Sequence, residues 1–168
     1  MSAVLLLDTN VWSHLVLGTP EKSGVVKAQL AALRLKYPGS AMAVSSICIA
    51  ECMVAARRLP DLQDRVAAEA AFQVEFSAVN LIVVDVTRAL LDKAATLRAE
   101  ALRIAAAAGG VPAGVDGGKL KLPDAIIAAT CLDFDPVAVL VTENVRDFQY
   151  LDDGGVKTFG GLIVETVG

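Results

Sequence analysis

The sequence predicts an α/β fold in which a mostly parallel central sheet of four to five strands is covered by helices on both faces. Three observations predict it. AVLLL at 3–7 is a continuous apolar run that reads as a buried parallel strand, LIVVDV at 81–86 reads as another buried strand, and VAVLVT at 137–142 as a further one. Segments with apolar residues at helical spacing separate these runs. Strands and helices alternate with no repeat and no internal linker, so the 168 residues are expected to form one domain, 1–168.

Taken in order, NVWSHLVLG after the first strand reads as a short helix closed by Gly18. The segment 21–37 places Val26, Leu30 and Leu33 on one helical face and stops before Pro38. SAMAVSS is a short strand leading into the helix SICIAECMVAARR, with Ser45 or Ser46 as its cap and Arg57-Arg58 suiting its C-terminal end. Pro60 is expected to start a longer helix through about Phe76. LIVVDV is read as a further buried strand, and Thr87 as the N-cap of the long helix after it. Residues 109–121 are Gly-rich and read as a mobile loop. LPDAIIAATCLD is a helix with Pro123 in its first turn. ENVRDFQYL follows the fourth strand, and KTF and LIVETV are expected as short edge strands.

Composition narrows the class of protein. Apolar residues make up 55% of the chain, which argues against disorder. No apolar run approaches the roughly 18 residues a membrane helix needs, and MSAVLLLD lacks the basic start of a signal peptide, so a soluble cytoplasmic protein is expected. Cys48, Cys52 and Cys131 are an odd set, read as free buried thiols; with the single His14 they offer too few partners for zinc. The net charge of −4 argues against a broad basic nucleic-acid surface. It leaves room for an enzyme whose carboxylates are neutralised by divalent metal.

Four carboxylates occupy awkward places. Asp8 ends the first strand, where α/β folds open their ligand crevice. It could instead cap the next helix, although Asn10 reads as better placed to do so. Glu51 shares a helix face with Ile47 and Ala55, on or beside the packed side, or is an exposed residue at its edge. Asp124 in the first turn of its helix complements the helix dipole, or faces the crevice. Asp147 is a turn residue beyond the strand-ending Thr142, with Asn144 able to cap the turn. A shared metal site explains all four together. Carboxylate oxygens suit Mg²⁺ or Mn²⁺, and without a cation they would repel one another.

The stretches LLLDTNVW, VSSICIAE, LPDAIIAAT and LVTENVRDF resemble, in order and approximate spacing, the motifs of PIN-domain proteins, above all VapC-type toxins of bacterial and archaeal toxin–antitoxin pairs. The resemblance runs from about residue 3 to residue 148. It implies a PIN-like three-layer α/β/α fold and a Mg²⁺- or Mn²⁺-dependent endoribonuclease, the toxin of a type II pair. Carried over position by position, it makes Asp8, Glu51, Asp124 and Asp147 the catalytic and metal-binding residues, with Thr142 and Asn144 in support. It further implies a homodimer and a cognate antitoxin whose tail occupies the active-site groove. The RNA substrate, whether tRNA, rRNA or mRNA, would need basic contacts, for which Arg57, Arg58, Lys119, Lys121 and Arg146 are the candidates. Glu143 is an acid outside the family pattern and is read as exposed. Trp12 is read as core packing, and His14 as dispensable for chemistry that uses a metal. A haloacid-dehalogenase-type phosphatase is disfavoured because Asn10 stands where that family has a second Asp. The alternative within the family is a catalytically silent module that only binds RNA or protein.

Overall fold

The structure is a computed structural model that describes residues 3–107, 120–134, 138–152 and 155–167. Lys119 and most of the Gly-rich loop expected at 109–121 lie outside the described residues. Along the chain come β1 (Val4–Leu7), α1 (Thr9–Val16), α2 (Pro20–Lys36), β2 (Ala41–Ser45), α3 (Ser46–Arg57), α4 (Leu62–Phe76), β3 (Leu81–Val84), α5 (Arg88–Ala107), α6 (Leu122–Leu132), β4 (Ala138–Thr142), β5 (Gln149–Asp152), β6 (Gly155–Thr158) and β7 (Ile163–Thr166).

Five of these strands form one sheet, in the order β3-β2-β1-β4-β7, and every pairing is parallel. Successive residues of β1 and β4 face opposite sides of the sheet, and every one of them is buried. Both faces must therefore be covered by helices, which gives three α/β/α layers. From β1 the chain builds outward through β2 to β3, then returns to place β4 on the other side of β1. That reversal opens a crevice at the carboxyl ends of β1 and β4. Asp8 follows β1 directly and Thr142 ends β4, so the switch point is lined by site candidates.

The core is aliphatic around a few rings. Trp12 packs edge-to-face on Phe76 with ring centroids 5.2 Å apart, and Phe72 stacks on Phe76. Trp12 is thus a core residue, as is Phe148, which anchors the 3₁₀ turn Val145–Phe148 beyond β4.

Four local readings are corrected. LIVVDV forms β3, but among the described residues this strand is the sheet's edge, and Ile82 and Val83 on its two faces are exposed because the described helices do not cover them there. Pro60 does not start α4. Asp61 caps that helix instead, its side chain accepting from the amides of Gln63 and Asp64. Asp8, rather than Asn10, caps α1, because Asn10 is already inside the helix. KTF does not extend the main sheet: it contributes to β6, which pairs antiparallel with β5 in a separate hairpin. Only β7, from LIVETV, lengthens the central sheet.

Candidate active site

Asp8 is 4% exposed, and its carboxylate is held from three directions. Oδ1 accepts from the Thr9 amide at 2.6 Å, which makes it the helix cap. Oδ2 accepts from the Thr142 hydroxyl at 2.6 Å and from Asn10 Nδ2 at 3.0 Å. The backbone amide of Asp8 donates to the Val141 carbonyl at 3.0 Å, which continues the β1–β4 pairing one residue past β1. Burial pushes the Asp8 carboxyl above its ordinary range, and these hydrogen bonds pull against that shift.

From Asp8 the network runs to Asp147. The Thr142 hydroxyl accepts from the Asn144 amide at 2.9 Å, and Asn144 Nδ2 donates to Asp147 Oδ2. Asn10 ties the same corner together, with Nδ2 reaching Thr142 Oγ1 at 3.2 Å and Oδ1 accepting from the Glu143 amide at 3.1 Å. Glu51 joins through the residue beside Asp8, since the Thr9 hydroxyl donates to Glu51 Oε2 at 2.5 Å. Thr9 and Asn10 were not singled out as site residues from sequence. Their partners lie far along the chain, and the only local signal was their adjacency to Asp8.

Asp124 stands in the first turn of α6, and its carboxyl is pushed up to about 6. Burial is the largest cause, followed by the charges of Asp8 and Asp147, with Glu51 adding to them. Asp124 therefore lies within electrostatic reach of the other three acids, although the four come from the β1–α1 junction, α3, α6 and the turn after β4. Among the described residues, no group of three or more His, Cys, Asp or Glu side chains is arranged to hold a metal ion as it stands. The donor chemistry nevertheless fits a hard divalent cation. It is all oxygen, and at Asp124 the charges of Asp8 and Asp147 add to burial in raising the carboxyl, a repulsion that a cation would relieve.

The basic candidates separate. Arg57 is engaged by Glu69 of α4, with Nε 3.0 Å from Oε1. Arg58 lines a groove on α3 together with Glu51. Lys121, at the start of α6, and Arg146, in the 3₁₀ turn, are both exposed. Glu143 is exposed and joins no carboxylate cluster. It pairs with His14 and with Lys22, the latter at 3.2 Å, and His14 above all holds its carboxyl below the usual range. Cys48, Cys52 and Cys131 are free and buried.

An acidic crevice at the switch point of a 3-2-1-4-7 parallel sheet defines a class, and the sequence comparison names it. The PIN domain pattern matches residues 5–149, and the chain belongs to the PIN domain family. No curated protein sequence matches it. Its fold is similar to a chain of VapBC2 from Rickettsia felis, solved bound to a DNA fragment from its promoter (TM-score 0.61, 18% identity, 98% of this chain and 99% of that one). It is also similar to a chain of a toxin–antitoxin complex from Klebsiella pneumoniae (TM-score 0.54, 26% identity, 86% and 89%). A third similar structure is VapC20 from Mycobacterium tuberculosis, a sarcin–ricin loop cleaving toxin (TM-score 0.55, 18% identity, 81% and 86%). Among the described residues, no helix is long and apolar enough to cross a membrane.

Proposed function

We propose that this PIN-domain chain is a metal-dependent endoribonuclease, the toxin of a type II toxin–antitoxin pair, which hydrolyses RNA phosphodiester bonds in the cytoplasm. The observation that carries the reading is the convergence of Asp8, Glu51, Asp124 and Asp147 from four separate parts of the chain on one crevice. The similarity to VapBC2 and VapC20 supports the toxin assignment. On this reading residues 1–168 form a single PIN domain, which works as a homodimer and is restrained by a cognate antitoxin.

The four carboxylates would hold Mg²⁺ or Mn²⁺. When bound, such a cation supplies charge for the developing phosphorane and lowers the pKa of water. The chain's own part is positioning. Thr142, Asn10 and the Thr9 amide fix the Asp8 carboxylate, and the Thr9 hydroxyl orients Glu51. Asn144 orients Asp147. Asp124 must lose the proton that burial and its neighbours help it keep, so cation binding and deprotonation are coupled there. Arg58, Lys121 and Arg146 supply phosphate contacts at the rim, and Lys119 would add to them.

The test is RNA cleavage by purified wild type, Asp8→Asn and Asp124→Asn with Mg²⁺ or Mn²⁺. Cleavage in the wild type and a loss of about 100-fold or more in both variants is the expected result, in line with removal of a catalytic unit. Wild-type rates in both folded variants would refute the assignment.

The second reading is a catalytically silent module that binds RNA or protein. Such a module would show neither cleavage nor stabilisation by Mn²⁺.

A further inference from the structure

Among the described residues, one face of helix α3 is left uncovered. Ile47, Ala50, Val54 and Ala55 line a groove of about 450 Å³ against Pro123, and Glu51 and Arg58 line it too. Val54 is 48% exposed and Ala50 is exposed. The groove is continuous with the acidic crevice, because Glu51 belongs to both. Arg57 is tied down by Glu69, whereas Arg58 makes no ion pair among the described residues.

The lining says what fits there. Among the described residues no aromatic ring lines the groove, so a nucleobase would find nothing there to stack on. Alanine and valine on an exposed helix face instead suit a second helix, since small side chains let two axes approach closely. The charges fit one particular helix. Glu51 and Arg58 lie about 10 Å apart along the axis, and the midpoint between them falls between Val54 and Ala55. Two α3 helices packed antiparallel about a two-fold axis through that midpoint would set Val54 against the partner's Ala55. Each Glu51 would then face the partner's Arg58, so the face is complementary to itself, as an isologous contact requires.

We propose that the α3 face binds a second copy of the chain, and that the partner's Arg58 stands beside Glu51 and completes the active site in trans by gripping the RNA phosphate. A guanidinium offers a bidentate phosphate contact beside the acids. The cleavage part rests on the nuclease reading above; the interface part does not.

Two experiments test it. Sedimentation should show a dimer for the wild type and a folded monomer for Val54→Asp. A short bis-maleimide should cross-link Val54→Cys across the axis, with the native thiols buried and silent, and should leave Val74→Cys on α4 uncross-linked. In the second experiment, Arg58→Ala and Asp124→Asn chains are co-expressed. Each alone should cleave RNA poorly. Half of a random mixture is mixed pairs, each holding one complete site, so activity should return to about a quarter of wild type. A monomeric wild type, a dimeric Val54→Asp or equal cross-linking of Val74→Cys overturns the interface. A dimer without restored activity overturns Arg58 in trans and assigns it to RNA on its own chain. A wild type that cleaves nothing with either metal removes the nuclease reading, while sedimentation and cross-linking still decide the interface.

Discussion

The hydroxyl of Thr142 has no contact with water and uses its full hydrogen-bonding capacity, donating to Asp8 and accepting from Asn10 and the Asn144 amide. Thr142→Val keeps the shape and removes all three bonds. It should cost about 1–3 kcal/mol by leaving buried groups short of a partner. On the proposed function it should also slow RNA cleavage by about 10–100-fold, because it removes the hydroxyl that holds the Asp8 carboxylate. Thermal denaturation and a cleavage time course check the two parts separately. At Asp124 the carboxyl is raised from 3.8 to about 6, so between those values the folded chain binds more protons than the unfolded one. Stability from this group is therefore present at low pH and is lost as the pH rises through about 6. In cation-free buffer at pH 7, Asp124→Asn should raise Tm by about 2–4 °C, a figure already reduced for the solvent screening of a partly exposed group. The gain should shrink towards pH 4.5. Calorimetry in EDTA at the two pH values is the measurement, and an unchanged or lowered Tm at pH 7 would contradict the repulsion.

At the level of elements, the Asp61 cap of α4 stands apart from the crevice. Asp61→Ala should cost about 1 kcal/mol of stability and leave RNA cleavage unchanged. Chemical denaturation beside the cleavage assay would show this separation. The elements also show what a sequence can carry. β1, β4 and the starts of α3, α5 and α6 were legible because apolar runs, caps and Pro123 are local signals. The strand β3 was legible too, but not its exposure, since its apolar residues look like those of a central strand and its edge place follows from sheet order, which is set by distant pairings. The four acids were legible as candidates because Asp8 follows a strand, Glu51 and Asp124 sit on helices next to apolar neighbours, and Asp147 lies in the turn after a strand. Thr9 and Asn10 were not. Thr9 acts on a residue 42 positions away and Asn10 on one 132 positions away. Arg57 read as a free cation only because Glu69 lies on another helix.

For the whole molecule, the central question is charge. The chain carries a formal −4, and part of its acid is gathered where the sheet reverses direction. A ligand that binds only the folded chain stabilises it by mass action, by about 2.7 kcal/mol at a hundredfold excess over Kd. Saturating Mn²⁺ or Mg²⁺ should therefore raise the Tm of the wild type by about 5–10 °C. The same ions should do little for Asp124→Asn. A thermal shift series with each cation, reversed by EDTA, is the check. An equal shift in both proteins would place the cation elsewhere.

Trp12 is the chain's sole tryptophan, four residues beyond Asp8 on α1, with its ring 1% exposed against Phe76. Its indole N–H finds no partner among the described residues. The molecule thus carries a natural fluorophore in a nonpolar cage, whose emission lies towards the blue while α1 stays seated and shifts to the red when water reaches the ring. Because Asp8 caps the helix that holds it, the intensity of that one band can follow events in the crevice in real time, without a dye.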